Sequence, residues 1–185
     1  MITMDQTPGT NFPRSRDLQK APGGSFTARL HGLLLARFIL LGPDGGEFGK
    51  LRLHGASKAR FESGDYSATL ETSGGRYRML DFYPGGGEVL TANTRRCSSG
   101  ELEIYCEGQT YGARVSLLRN LAIASYPGGE RAIRLSGSLT GRSYDALFAA
   151  DDGGMLPVAI FLLWYLAANR RRAYRVGRLA GGKKM

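Results

Sequence analysis

The sequence predicts a mainly β fold in which a closed antiparallel barrel of about twelve strands surrounds a central, apolar C-terminal helix. Two observations lead to this prediction. From Phe26 onward, short segments alternate apolar and polar residues with the period of two that is typical of half-buried strands. Near the C-terminus, Met155 to Ala168 contains no charged residue and runs directly into Asn169 and three arginines. A helix that is apolar on every side must be surrounded by protein, and a sheet that closes around it also removes its own exposed edges.

The chain divides into three parts by composition. Residues 1–24 contain Pro8, Pro13 and Pro22 among polar residues and show no sustained periodicity, so we expect a flexible leader. Residues 25–176 carry the barrel pattern, with the central helix at about 155–174. Residues 177–185 are glycine-rich and basic, and we expect them to form a flexible tail. The length of 185 residues suits a single domain around one core.

The strands are predicted from alternating segments that recur about every ten residues, with turns rich in glycine between them. The first segment is Phe26, Ala28 and Leu30, and a mostly apolar run from Leu33 to Leu41 ends at the turn-forming sequence GPDGG. A further short segment spans Glu88 to Ala92. The apolar members of the other segments are Leu51 and Leu53; Tyr66, Ala68 and Leu70; Tyr77 and Met79; Leu102, Ile104 and Cys106; Tyr111, Ala113, Val115 and Leu117; Ile133 and Leu135; and Tyr144, Ala146 and Phe148.

One segment, Val115 to Ser125, fits a short helix about as well as two strands joined at Arg119 and Asn120. Its neighbours are strands, and Pro127-Gly128-Gly129 follows it. We therefore predict two strands.

The apolar stretch Met155 to Ala168 is predicted to be the central helix rather than a membrane span. About fourteen residues at roughly 1.5 Å each cover about 21 Å, whereas a bilayer core is about 30 Å thick. Asp151 and Asp152 suit the positive end of a helix, and Pro157 suits its first turn. A short tail anchor flanked by the arginines is the remaining alternative.

The order of these elements resembles the tubby C-terminal-like superfamily, which includes the LURP-one-related proteins and the phospholipid scramblases. The resemblance is carried by a GSLTGRSYD segment (Gly137 to Asp145), a Tyr-x-Ala-x-Phe strand (Tyr144 to Phe148) and the all-apolar helix (Leu156 to Ala168). It implies a twelve-stranded barrel around a C-terminal helix. It supplies no ligand residues, because no phosphoinositide site aligns with named basic residues. Asp151 and Asp152 are too few for a calcium loop.

No pattern of an enzyme, metal site or cofactor site is found in the sequence. His31 and His54 lie far apart on candidate strands, and Cys97 and Cys106 lack a Cys-x-x-Cys context. No Gly-x-Ser-x-Gly elbow occurs. We expect a protein without catalytic residues, metal or cofactor, with both cysteines as free thiols.

The net charge of +9 favours anionic partners. The candidate binding residues follow the apolar stretch and are Arg170, Arg171, Arg172, Arg175 and Arg178. We expect them to contact an anionic phospholipid surface or a phosphorylated ligand where the helix leaves the barrel. The alternative is a structural or protein-interaction scaffold whose tail is only solubilising. Tyr174 alone is too little aromatic surface for nucleic-acid stacking. The absence of a signal-peptide core predicts a cytoplasmic protein, peripheral at the membrane if it binds lipid.

Overall fold

Twelve strands and one C-terminal helix make up the part of the chain that the computed structural model describes, namely residues 24–32, 36–81, 86–94, 100–149 and 155–181, with helix side chains described as far as Arg172. The strands are β1 (Ser25–His31), β2 (Arg37–Leu41), β3 (Glu47–His54), β4 (Lys58–Ser63), β5 (Tyr66–Ser73), β6 (Arg76–Asp81), β7 (Glu88–Thr94), β8 (Glu101–Cys106), β9 (Gln109–Ser116), β10 (Leu121–Ser125), β11 (Arg131–Gly137) and β12 (Ser143–Phe148). The helix is α1 (Met155–Gly181).

The strands form a closed antiparallel barrel in which each strand pairs with its neighbours in sequence. Closure comes from β1 and β12, where Phe26 is paired with Ala146. Because consecutive strands run up and down, the turns alternate between the two ends of the barrel. The predicted fold class is confirmed.

The alternating apolar and polar residues of each strand form the inner and outer faces of the barrel wall. On β4, Ala59 and Phe61 point inward and are fully buried, whereas Lys58 and Arg60 are exposed. Each side chain of phenylalanine or leucine size that is buried this way contributes about 1.5–3 kcal/mol to folding.

The ambiguous segment Val115 to Ser125 forms two strands, as predicted, and Asn120 supplies a positive φ of 50° in their connection. The prediction for Leu117 was wrong. Instead of continuing the inward series of β9, Leu117 lies in the turn after Ser116 and is 40% exposed. The chain must turn there to place Leu121 opposite Ser116.

Helix α1 enters the barrel at Met155 and is buried on all sides as far as Trp164. Pro157 lies in its first turn, where a missing N–H removes no helical hydrogen bond. The helix continues to Gly181, beyond the end of the apolar stretch, since the following residues include several good helix formers such as arginine, alanine and leucine. Its backbone therefore includes residues 177–181.

Several predicted features lie outside the described residues. They are the leader up to residue 23, Leu33 to Leu35, Cys97, the Asp151–Asp152 pair and residues 182–185. Cys106 is buried on β8, and the prediction that Cys97 and Cys106 are free thiols stays a prediction.

Candidate functional site

The candidate site is the end of the barrel where helix α1 emerges. Arg170 Nη2 donates a hydrogen bond to the carbonyl oxygen of Leu139 in the β11–β12 loop. Arg172 Nη2 donates to the carbonyl oxygen of Ala56 in the β3–β4 turn, at 3.4 Å. These two connections belong to the same end of an up-and-down barrel, so the helix leaves through that end with its arginines against the rim.

Arg170 and Arg171 line a small notch between the helix and the β11–β12 loop. The notch has a volume of about 80 Å³, and Thr140, Gly141 and Tyr144 form the opposite side. Gly141 has a φ of 68°, a left-handed conformation that favours glycine at this turn. Leu30, Phe38 and Ala167 line the rest of the notch, so its wall is largely apolar, with Arg170 and Arg171 as its basic residues.

The structure brings three of the five predicted site residues together. Arg170 and Arg171 are half-buried at the notch, and Arg172 is exposed on the rim. Arg175 and Arg178 lie further along the helical backbone, and their side chains are outside the described residues.

Two loops of this end are joined to each other by hydrogen bonds. Asn120 Nδ2 donates to the carbonyl oxygen of Ser138 at 2.8 Å, and the Gly137 amide donates to the carbonyl oxygen of Asn120 at 2.7 Å. The Ser138 hydroxyl accepts hydrogen bonds from the Arg142 and Ser143 amides, each at 3.2 Å. The β9–β10 and β11–β12 loops therefore form one rigid unit beside the helix exit.

Charge is separated between the two ends of the barrel. Basic residues in the turns and strand ends at the helix exit are Arg37, Lys58, Arg76, Arg119 and Arg142. Among the described turns and strand ends there, Glu101 is the one acidic residue, and its carboxylate lies 3.6 Å from Arg114 Nε. The opposite end carries Asp44, Glu47, Asp65, Asp81, Glu88, Glu107 and Glu130, with Arg131 as its basic residue in the described part.

Arg76 on β6 forms an ion pair with Glu88 on β7, 3.0 Å between Nη2 and Oε1, and Glu47 is paired with Lys50 at 3.0 Å. These charges offset each other and are not counted toward either end. We define the basic rim as Arg37, Lys58, Arg119, Arg142, Arg170, Arg171 and Arg172. The outward field of this rim attracts anions, and the acidic end repels them.

Two side chains have pKa values that their surroundings shift. Burial is the main cause that raises the pKa of Tyr165 to about 12, and the neighbouring Tyr77 is the second. The positive charge of Arg172 lowers this pKa by a smaller amount. Tyr165 and Tyr77 pack edge to face, 5.2 Å between ring centres, just below the helix exit. At the acidic end, burial raises the pKa of Asp81 against the hydrogen bond donated by Tyr66, and the charge of Glu107 adds to the rise.

Sequence reasoning missed the loop residues of this end. Leu118 and Leu139 are 96% and 87% exposed, next to Arg119 and in the same loop as Arg142. These leucines could have been found as apolar residues at turn positions, where polar residues or glycine are usual.

The described residues contain no group of three His, Cys, Asp or Glu side chains placed to hold a metal ion. In the same part of the chain, no helix combines the length and apolar character needed to cross a membrane.

No protein-family model and no curated protein matches the chain. The fold resembles that of a LURP-one-related protein from Arabidopsis thaliana. Its crystal structure superimposes with a TM-score of 0.52 and 11% sequence identity, over 81% of this chain and 96% of that chain. At this identity the similarity establishes a related fold and carries no residue of the site.

Proposed function

We propose that the protein is a non-enzymatic binding module that attaches to anionic phospholipid surfaces through the basic rim, as a peripheral protein in the cytoplasm. The separation of charge between the two ends of the barrel is the observation that carries this proposal. Each basic residue near an anionic membrane contributes about 1 kcal/mol of attraction. Arg170 and Arg171, beside the notch at the helix exit, add to this attraction.

We also propose that the chain belongs to the tubby C-terminal-like superfamily. The twelve-stranded barrel with its central helix and the similarity to the Arabidopsis structure support this assignment.

The test is sedimentation with vesicles. Vesicles of phosphatidylcholine alone are compared with vesicles that contain phosphatidylserine, at low and at high salt. We expect binding only to the anionic vesicles, and its loss at high salt because the Debye length falls from about 8 Å at 0.15 M to about 3 Å at 1 M.

Two charge reversals show whether the rim is responsible. Arg119→Glu changes the charge of the rim, and Arg131→Glu makes the same change at the acidic end; both side chains are exposed. We expect Arg119→Glu to weaken vesicle binding on the order of tenfold, while Arg131→Glu binds like the wild type. Equal losses in the two variants would contradict binding through the rim.

Soluble phosphoserine distinguishes a membrane surface from a free phosphorylated ligand. Competition at millimolar concentration would assign the basic rim to a soluble ligand, whereas vesicle binding that resists competition supports a membrane surface. Equal recovery with neutral and anionic vesicles at every salt concentration would leave the scaffold function as the better interpretation.

A further inference from the structure

Three exposed leucines lie together at the basic rim. Leu118 is 96% exposed, Leu139 is 87% exposed and Leu117 is 40% exposed, all in the joined β9–β10 and β11–β12 loops. The other large hydrophobic side chains that are exposed in the described part of the chain, Tyr105 and Leu147, lie on strands instead. Scattered exposed leucines need no explanation, but a group on loops at one end indicates a contact surface.

The backbone holds these leucines in their exposed positions. Leu139 is fixed through its own carbonyl oxygen by Arg170 on the central helix. The preceding residue, Ser138, accepts the amide of the buried Asn120 side chain at 2.8 Å. The leucines are thus displayed by a rigid support, and little conformational entropy is lost when a partner covers them.

Cationic residues lie on the same loops as the leucines. Arg119 follows Leu118 directly, Arg142 lies in the loop of Leu139, and Arg170 contacts that loop. Exposed leucines and guanidinium groups on the same two loops match the depth profile of an anionic bilayer, where phosphates lie just above the acyl chains. This charge complementarity favours a lipid surface over a protein partner.

We propose that Leu117, Leu118 and Leu139 insert into the acyl region of an anionic membrane while Arg119 and Arg142 stay at the level of the phosphates. This inference rests on the proposed function and specifies how the barrel binds: by insertion of two loops, with the helix axis pointing towards the membrane.

Tryptophan scanning tests insertion directly. The chain contains one tryptophan, the buried Trp164, so the wild type provides the background emission. Leu118→Trp and Leu139→Trp each place a second tryptophan on a loop tip, and Leu147→Trp places one on β12 towards the opposite end. With phosphatidylserine vesicles that carry brominated acyl chains, we expect blue-shifted and quenched emission for the two loop variants and unchanged emission for Leu147→Trp.

A polar variant measures how much insertion contributes. Removing a leucine side chain from an apolar environment weakens binding by about tenfold or more, so Leu118→Ser with Leu139→Ser should reduce partitioning into anionic vesicles by at least tenfold. The matched control is Leu147→Ser, which should bind like the wild type.

The outcomes separate this inference from the proposed function. If wild-type protein sediments with anionic vesicles but the loop tryptophans are not quenched, or the double serine variant binds normally, insertion is wrong and binding by charge alone stands. If no variant and no wild-type protein binds anionic vesicles, both proposals fail together.

Discussion

The side-chain amide of Asn120 occupies the space beside the α-carbon of Gly137. A methyl group on Gly137 would lie 1.9 Å from Asn120 Nδ2 and 2.6 Å from Tyr144 Cε1. The same two residues share a backbone hydrogen bond of 2.7 Å. The close approach of two loops at the helix exit therefore requires a glycine at position 137. The Asn120 side chain is buried in the space that a side chain on Gly137 would fill.

Gly137→Ala should destabilise the protein by about 2–4 kcal/mol. The added methyl group overpacks the loop junction and displaces the Asn120 amide from the Ser138 carbonyl oxygen, with a loss of one buried hydrogen bond. Urea unfolding followed by tryptophan fluorescence measures the change.

Gly112→Ala is the control for this substitution. Gly112 lies on β9, and a Cβ there meets no atom within 4 Å. We expect a change of less than about 1 kcal/mol, in the stabilising direction, because alanine restricts the unfolded chain. Similar losses in both variants would show that the approach of Asn120 to Gly137 is not tight.

Leu163→Asp should prevent folding. Leu163 is completely buried in the barrel, and an unpaired charge at such a position costs several kcal/mol. Leu118→Asp makes the same chemical change at a residue that is 96% exposed, and should leave stability within about 0.5 kcal/mol of the wild type. Emission of Trp164 at short wavelength, with a red shift on unfolding, reports the core in each protein. A cooperatively folded Leu163→Asp protein would refute a central buried helix.

Asp81→Asn should stabilise the protein at pH 7 by up to about 1 kcal/mol, a small effect because the carboxyl group is partly solvated. Its pKa is raised by burial, so the folded state binds the proton more tightly than the unfolded chain does. The corresponding stability is present below the unfolded pKa and is lost as the pH rises through the folded pKa. An asparagine cannot ionise, yet its oxygen still accepts the Tyr66 hydroxyl.

Unfolding of wild type and Asp81→Asn by urea at pH 4 and pH 7 checks this sign. The advantage of the variant should be larger at pH 7. An advantage that is equal at both pH values, or larger at pH 4, would show that burial does not control this group.

Arg170→Ala should cost about 1–2 kcal/mol of stability, more than Arg172→Ala. Arg170 is half-buried and supports the β11–β12 loop through the Leu139 carbonyl oxygen, whereas the exposed Arg172 makes a long bond of 3.4 Å to the Ala56 carbonyl oxygen. Thermal unfolding at one pH and salt concentration compares the two variants. If they are equally stable, Arg170 does not brace the loop, and its role is confined to the surface.

The strand pattern could be predicted because each strand buries one face. Phe26, Leu51 and Leu70 alternate with polar residues, and all three are buried in the barrel wall. The helix could be predicted for the same reason, since a run of apolar residues without a polar face has one stable location inside a closed sheet. Leu117 was placed wrongly because periodicity does not show where a strand ends and the turn begins.

Only part of the candidate site could be predicted from the sequence. Arg170, Arg171 and Arg172 follow the apolar stretch, so their position at its exit comes from chain continuity. Leu118 and Leu139 are 21 residues apart in the sequence, and nothing local indicates that they share an end of the molecule. The pairing of β10 with β11 places the β9–β10 and β11–β12 loops side by side.

The sequence by itself determined that a β barrel encloses Met155 to Ala168 and that arginines follow this stretch. The periodicity of apolar residues and the order of segments along the chain are local properties, so they can be read from the sequence. The tertiary structure decided which charges share an end, which leucines stand out beside them, and why Gly137 must be a glycine. Those relations depend on distances between segments remote in the chain, and closure of the barrel sets such distances.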